Sequence, residues 1–553
     1  MKKCVTMLLI FTILMSVVAC GNNTPAPTEP SQPTTPTEPL VQGYPLNDKG
    51  ECIVNDGGTI TSTNDGSGRV FYQIFVGSFS DSNGDGIGDL RGIINRFDYL
   101  NDGDPNSGVS LGVEGIWLSP IFTSPTYHKY DATNYYEIDP DFGTMEDLQE
   151  LINLCHSRGV QIILDLVINH TAKKHEWFEE FVYAHQMDIR SGKYYDFYSW
   201  ADTNLPGATY NTIPGTSQYY ECNFSGDMPE LNFDNEDVRQ AMVDVAKFYL
   251  DMGVDGFRFD AAKYIYYGDE SSNSDFWIWY MTELRNIKPD IYTVAEVWDS
   301  DSVTHPYFAS TNCFNFTMAG TSGLLASVGK GGDVDNLTTY VQEYLNTIHG
   351  YREDAMMCTF LANHDMDRAA GYLTVNNGYA YVGANISMLM PGSTFIYYGD
   401  EIGMKGSRGG APTDANRRLA MLWGDGDTVK NPTGTTYNST QINGTVADQL
   451  GNSDSLYNHY KKLVMIRKAN PEIVYGSYTA LTLEDSKAGG FLSQYEGKTV
   501  AVIHNPTTET VTIDLTQLTD ASLTTLAAFA GVGKATLEGT TLILEPQTSA
   551  ILR

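Results

Sequence analysis

Three carboxylates stand where a fold usually places its chemistry. Asp260 closes Gly256-Phe257-Arg258-Phe259-Asp260, Glu296 closes Tyr292-Thr293-Val294-Ala295-Glu296, and Asp365 closes Ala362-Asn363-His364-Asp365. Each follows a short apolar run, so each is expected at a strand end. Side chains alternate along a strand, which puts Arg258 and Asp260 on one face, where the guanidinium would keep the carboxylate ionised. Glu296 ends a run of apolar character, and partial desolvation there raises a carboxyl's pKa so that it keeps its proton. One ionised and one protonated carboxyl flanking an anomeric carbon is the arrangement that breaks a glycosidic bond through an oxocarbenium-like transition state. A lone aspartate in such a place says little, because turns and caps use Asp freely. Three of them, each closing a separate run, form a constellation.

The segment Asp81-Ser82-Asn83-Gly84-Asp85-Gly86-Ile87-Gly88-Asp89 carries a different chemistry. Oxygen-bearing side chains alternate with glycines that allow a tight wrap, as a hard cation such as Ca²⁺ requires. It is not an EF-hand, since position twelve counted from Asp81 is Gly92 and the loop follows a strand-like run.

Elements must bring these residues together. Apolar runs at 70–79, 113–121, 161–168, 256–261, 291–297, 313–318, 356–361 and 393–398 alternate with segments long enough for crossover helices. Eight buried strands joined in this way predict an α/β fold, a (β/α)₈ TIM barrel with its chemistry at the C-terminal strand ends. The barrel is assigned to 69–170 and 236–450. Between its third and fourth strands, 171–235 is rich in Tyr, Asn and Gly and too long for an ordinary connection, so it is read as an inserted domain. Beyond it, 451–553 opens with a helical stretch at 456–469 and continues in alternating segments at 490–495, 499–504 and 510–515. That pattern predicts a C-terminal antiparallel β domain.

At these residues the chain resembles the α-amylase family of glycoside hydrolases, family 13. Asp165-Leu166-Val167-Ile168-Asn169-His170, Gly256–Asp260 in full, Ala295-Glu296-Val297-Trp298 and Asn363-His364-Asp365 look like its four principal motifs, in order and on the expected strands. The resemblance covers roughly 69–403 well, extends through the C-terminal β domain and leaves out the first sixty or so residues. It implies a retaining double displacement with Asp260 as nucleophile, Glu296 as acid/base and Asp365 as transition-state stabiliser. It also implies sugar contacts from His170, Arg258 and His364, with Tyr130 stacking on the ring, Arg368 nearby and Lys263 reaching a leaving-side glucose. Similar loops in several members bind structural calcium through the side chains at Asp81, Asn83, Asp85 and Asp89 and the Ile87 carbonyl. Met228-Pro229-Glu230-Leu231-Asn232 resembles the segment of members, including bacterial lipoprotein α-amylases, intermediate between oligo-1,6-glucosidases and neopullulanases, with Glu230 where they carry Asp. The reading favours endo-acting α-1,4 cleavage of starch or maltooligosaccharides. An α-glucosidase or oligo-1,6-glucosidase, a neopullulanase and a transglycosylase of the same family are the alternatives, and a non-catalytic glycan-binding or partner protein is a remote one.

Composition narrows the partners. A formal charge of −34 repels phosphate backbones and anionic lipid, so no nucleic acid partner is expected. The first nineteen residues read as a signal peptide, with Lys2 and Lys3 ahead of an apolar run at 5–18. Val17-Val18-Ala19 directly before Cys20 resembles a lipoprotein box, which would make Cys20 the lipidated first residue of an exported protein held to a membrane by the lipid alone. An ordinary secretory signal is the alternative. The Pro- and Thr-rich stretch within 20–43 cannot bury a core and reads as a spacer, and 44–68 as a lead-in to the barrel. The seven cysteines show no metal or disulfide spacing, so Cys155, Cys222, Cys313 and Cys358 are expected to be small buried hydrophobes. Nothing in the sequence sets the oligomeric state.

Overall fold

A computed structural model describes residues 68–553, apart from 105–107, 410–412, 438–442, 484–486 and 519–522. The signal peptide, Cys20 and the spacer lie outside the described residues. Among those residues no helix is long and apolar enough to cross a membrane.

All eight expected runs form strands. In chain order they are Val70–Ile74, Gly115–Leu118, Gln161–Leu166, Gly256–Phe259, Tyr292–Ala295, Asn312–Phe314, Met357–Phe360 and Ser393–Tyr397, here strands one to eight. They close into a parallel barrel in which each strand pairs with its chain neighbours and strand eight returns to strand one. Alternation sends one set of side chains inward, where Phe71, Trp117, Ile163, Tyr292, Phe314, Phe360 and Phe395 pack as a separate core. Each such ring contributes on the order of 2 kcal/mol by leaving water. A Cβ at Gly115 would lie 2.4 Å from the Phe71 ring, so glycine there is what lets that ring fill the barrel. The opposite faces of the strands join the larger core beneath the helices.

Register then fixes the chemistry. Asp165 on strand three pairs with Arg258 on strand four. The inward parity that buries Ile163 therefore carries Asp165, Arg258 and Asp260 to the interior of the C-terminal rim. The helix Glu236–Met252 leads into strand four. It is capped by the Asn235 side chain and ended at Gly253 with φ 105°, a left-handed turn that suits glycine.

Between strands three and four lie a helix, Glu176–Gln186, and a small antiparallel sheet of Trp200–Ala201, Tyr219–Glu221 and Tyr210–Thr212. A bridge from His170 to Glu230 ties this segment to the rim, and one from Tyr198 to Leu231 lies within it. The helix Leu456–Ala469 forms as expected and leads into a five-stranded and a three-stranded antiparallel sheet with their own core. Cys155, Cys222, Cys313 and Cys358 are buried and free, as expected.

Candidate active site

The strand ends converge on one cleft. Asp260 follows strand four directly, Glu296 follows strand five and Asp365 lies in the turn after strand seven. All three line a cavity of about 720 Å³ together with Tyr130 and His170.

Arg258, fully buried, organises the acids. Its Nη1 donates to Asp260 Oδ1 at 2.6 Å and to Asp165 Oδ1 at 2.7 Å, while Nη2 stands 2.9 Å from Glu296 Oε2 as an ion-pair contact. One cation thus serves three acids, and this modifies the expectation for Asp260. Burial pushes the Asp260 carboxyl up despite Arg258, and it does the same to Glu296. Asp165 is pushed up by burial to about 7, again against the pull of Arg258. Three desolvated carboxyls share a single positive charge, and burial favours the protonated form of each. A hydrogen bond from Glu296 also lowers Asp260.

Asp365 is tuned the other way. Burial would raise it, but His364, at 2.9 Å, and Arg418, whose Nη2 donates to Asp365 Oδ1 at 2.6 Å, hold it well below the usual carboxylate range. It stays ionised. Burial holds His364 neutral. The Gln73 amide lies 2.7 Å from Nδ1, which places the ring proton on Nε2, 2.6 Å from Tyr130 Oη. Tyr130 Oη in turn donates to Asp165 Oδ2 at 2.9 Å. A continuous chain of contacts therefore joins Asp365 through His364, Tyr130 and Asp165 to Arg258.

The turn after the nucleophile completes the acid's setting. Ala261 adopts φ 45° and ψ 44°, a left-handed conformation rare outside glycine, and its N–H donates to Glu296 Oε2 at 3.0 Å. A smaller chamber of about 340 Å³ opens on this side, lined by Phe224, Ala261, Lys263, Tyr264, Glu296 and Trp298. Lys263 is in it, donating to the Trp298 carbonyl at 2.9 Å and to Asp299 at 2.8 Å.

Arg258, His364 and Arg368 are not among the residues that line the cavity, and Arg368 packs against strand eight. It is fully buried, its guanidinium lies against the Tyr397 and Tyr398 rings at 4.3 and 4.6 Å, and it donates to the Tyr398 and Arg417 carbonyls. Its work is to hold the strand eight rim, because a delocalised cation packs well between aromatic faces. The arginine on Asp365 is Arg418, which sequence reasoning missed. Nothing in the local sequence distinguishes it from Arg417 beside it. Asp165 was quoted within a motif without a role, and Tyr127 and His128, which also line the cleft, were not singled out.

In the loop that follows strand one, Asp81 accepts from the N–H groups of Asn83, Gly84 and Gly86 and from Thr428. Asn83 accepts from Asp85 N–H and Asp85 from Ile87 N–H. Asp89 accepts from Ser82 and, as a helix cap, from Gly92. Among the described residues no three His, Cys, Asp or Glu side chains group as metal ligands. The oxygen donor chemistry suits a hard cation, with the carboxylates currently turned onto the loop's own amides.

Comparison with known proteins agrees with this geometry. The model of the α-amylase catalytic domain matches residues 73–476. Alpha-amylase 3 of Dictyoglomus thermophilum is 36% identical over 441 residues, 79% of this chain and 84% of that protein. An oligo-1,6-glucosidase of Bacillus cereus is 30% identical over 525 residues, 81% of this chain and 91% of that one. Among solved structures, Eubacterium rectale Amy13B superposes with a TM-score of 0.80 at 33% identity, covering 88% of this chain and 95% of that one.

Proposed function

The chain belongs to the α-amylase family of glycoside hydrolases, and from that premise we propose that it is a retaining, endo-acting α-amylase that cuts α-1,4-glucosidic bonds of starch and maltooligosaccharides. The observation that carries the reading is Arg258 held against both Asp260 and Glu296, with ionised Asp365 in the same open cleft. Asp260 attacks the anomeric carbon while Glu296 protonates the departing oxygen. Glu296, now a base, then activates water to release a product of retained α configuration. Asp365 accepts hydrogen bonds from sugar hydroxyls as the ring flattens. The relative named Alpha-amylase 3 supports the α-1,4 preference, and the relative named oligo-1,6-glucosidase defines the rival to be tested.

The deciding measurement is a time course of products from soluble starch, maltoheptaose, pullulan and isomaltose, with Asp260→Asn as blank. An early spread of maltooligosaccharides, absent in the variant, is expected. Glucose alone, panose from pullulan, or cleavage of isomaltose would overturn the endo-α-1,4 assignment.

Two further parts of the reading concern the molecule's setting. Asp81, Asn83, Asp85, Asp89 and the Ile87 carbonyl hold a structural Ca²⁺ in the loop after strand one. Its support is the alternating oxygen donors within one turn. Chelation should lower the melting temperature and added Ca²⁺ restore it, and an unmoved transition would remove the metal from the account. Lys2, Lys3, the apolar run and Cys20 support export with lipidation at Cys20. That part fails if the mass of the mature protein equals that of its unmodified polypeptide.

A further inference from the structure

The loop that follows strand two carries a buried lysine on a left-handed backbone. It spans 124–133, between the antiparallel pair Phe122–Thr123 and Asn134–Ile138. Thr126, Tyr127, His128 and Tyr130 line the main cavity, whereas Lys129, between the last two, is turned away into the protein. Its Nζ lies 2.9 Å from Asp139 Oδ2, donates to Asp141 Oδ2 at 3.2 Å and stands 5.3 Å from the centroid of the Phe142 ring. The Lys129 and Asp139 side chains are only 5% and 6% exposed. Lys129 has φ 64°, a conformation that crowds the Cβ of an L-residue and is rare outside Gly, Asn and Asp. Strained backbone of this kind persists only where its surroundings over-determine it. The anchor here is Asp139. Its Oδ2 also accepts the Ser124 N–H at 2.9 Å, and its own N–H donates to the Ile121 carbonyl at 2.9 Å. One buried carboxylate thus ties down the start of the loop and the ammonium at its middle.

What the turn at Lys129 controls is Tyr130. The Tyr130 N–H donates to His128 Nδ1 at 3.1 Å, its carbonyl lies 3.2 Å from His170 Nε2, and its ring stacks on His364 at 5.2 Å with an interplanar angle of 9°. Its hydroxyl meets Asp165 at 2.9 Å and His364 at 2.6 Å. Every part of Tyr130 is engaged, so the backbone angle of the preceding residue sets all of these contacts together. We propose that Lys129 is a positioning residue for glycosidic cleavage: its buried ion pair holds the left-handed turn that sets Tyr130 against Asp165 and His364. The proposal rests on the retaining hydrolase reading and deepens it. Lys129 lies outside the cavity and acts through the turn. Tyr130 passes the position on to Asp165, which shares Arg258 with the nucleophile and the acid/base. Without the ion pair, residue 129 relieves its strain by moving to negative φ, and the Tyr130 hydroxyl is drawn off Asp165. A displacement of about 1 Å in such a constellation costs on the order of a hundredfold in rate.

Two substitutions separate the turn from the ion pair. Lys129→Met keeps the apolar stem and removes the charge, whereas Lys129→Gly removes both but accepts the left-handed turn at no steric cost. Each leaves Asp139 without its cation, so the difference between them reports the backbone. With the full chain, kcat and KM are measured on whichever of maltoheptaose, pullulan and isomaltose the wild type hydrolyses, and the melting temperature is followed by circular dichroism. Both variants should melt below the wild type, since each strands a buried charge. In Lys129→Met kcat should fall roughly ten- to a hundredfold with KM far less changed, and Lys129→Gly should recover most of that loss. A residue that only fills space predicts the reverse order, with Met the more active of the two. Should Lys129→Met not fold, Asp139→Asn weakens the pair from its other end, and adding Lys129→Gly to it should raise kcat. A kcat in Lys129→Gly no higher than in Lys129→Met, or no gain in the double variant, would make Lys129 a stabilising residue alone and overturn the proposal. A wild type that hydrolyses none of the three substrates would defeat the hydrolase reading itself, and the proposal with it.

Discussion

At Arg258 a single guanidinium meets Asp165 and Asp260 through one nitrogen and approaches Glu296 through the other. The charge given to Asp165 is withheld from the nucleophile and the acid/base, so Asp165 helps to keep both carboxyls raised. Asp165→Asn removes one of the three carboxyls that compete for Arg258. The pKa values of Asp260 and Glu296 should then fall, and both limbs of the pH profile of kcat/KM should move to lower pH. Slight displacement of Arg258 should also reduce activity, by up to about a hundredfold. A lower activity with both limbs in place would reduce Asp165 to a packing residue. The contrast with what the sequence displays is physical. Asp260, Glu296 and Asp365 are legible because each closes a run whose apolar pattern announces a strand. The motif around Asp165 was legible too, but its sharing of Arg258 depends on register between strands, which no local pattern encodes. Arg418 is invisible for a stronger reason, since it reaches Asp365 from a loop far along the chain with no periodicity to mark it.

The turn joining strand four to the cleft shows what one element contributes. Ala261 must take a left-handed conformation for its N–H to reach Glu296, while the N–H of Ala262 reaches the Glu296 carbonyl at 2.9 Å. For a residue with a Cβ that conformation costs about 1–2 kcal/mol, and a branched Cβ costs more. Ala261→Val should therefore destabilise the fold by about 1–3 kcal/mol and lower kcat by loosening Glu296, whereas Ala261→Gly should accept the same φ without strain. Denaturant unfolding with starch assays on both variants checks this, and equal stability of the two would show that no strain is held there. Elements of this kind were only partly readable. The barrel strands were found because their apolar runs are long enough to show a pattern, although the run at 70–79 also took in the turn after strand one, and the sixth strand begins at Asn312 rather than 313. The inserted segment is marked by its length and its Tyr-, Asn- and Gly-rich composition. Its strands, of two or three residues, are too short for any alternation to emerge from a Tyr- and Gly-rich background.

Across the whole molecule, buried histidines join parts that the chain places far apart. His459 on the helix Leu456–Ala469 lies 2.8 Å from Asn385 Oδ1, Asn385 donates to Ser549 Oγ at 3.0 Å, and Ser549 Oγ meets His504 Nδ1 at 2.7 Å, linking barrel helices to the C-terminal sheet. Burial pushes His459 down to about 3, and His170, His175 and His504 down to about 4. In the unfolded chain these imidazoles titrate near 6.5, so below that pH the unfolded state binds more protons than the folded one. Their contribution is constant above about pH 6.5 and is lost as pH falls toward 4. Asp400, raised by burial to about 8, and Glu401, also raised by burial, act in the opposite sense. They bind protons more tightly when folded, so they remove stability as pH rises from the carboxylate range toward the folded values. The measured slope of the wild type is the sum of both sets, which makes the difference made by one residue the sharper observable. His459→Gln keeps a donor for Asn385 but cannot titrate. Its stability curve should run parallel to the wild type above about pH 6.5 and then diverge below it. Near pH 4.5 the variant should be the more stable by about 2.7 kcal/mol relative to that offset, one proton's linkage over two pH units. Urea unfolding of both proteins across that range decides it: curves that stay parallel to pH 4.5 would mean that His459 is already charged in the folded state, and that the contact between helix and sheet survives a positive charge at its centre.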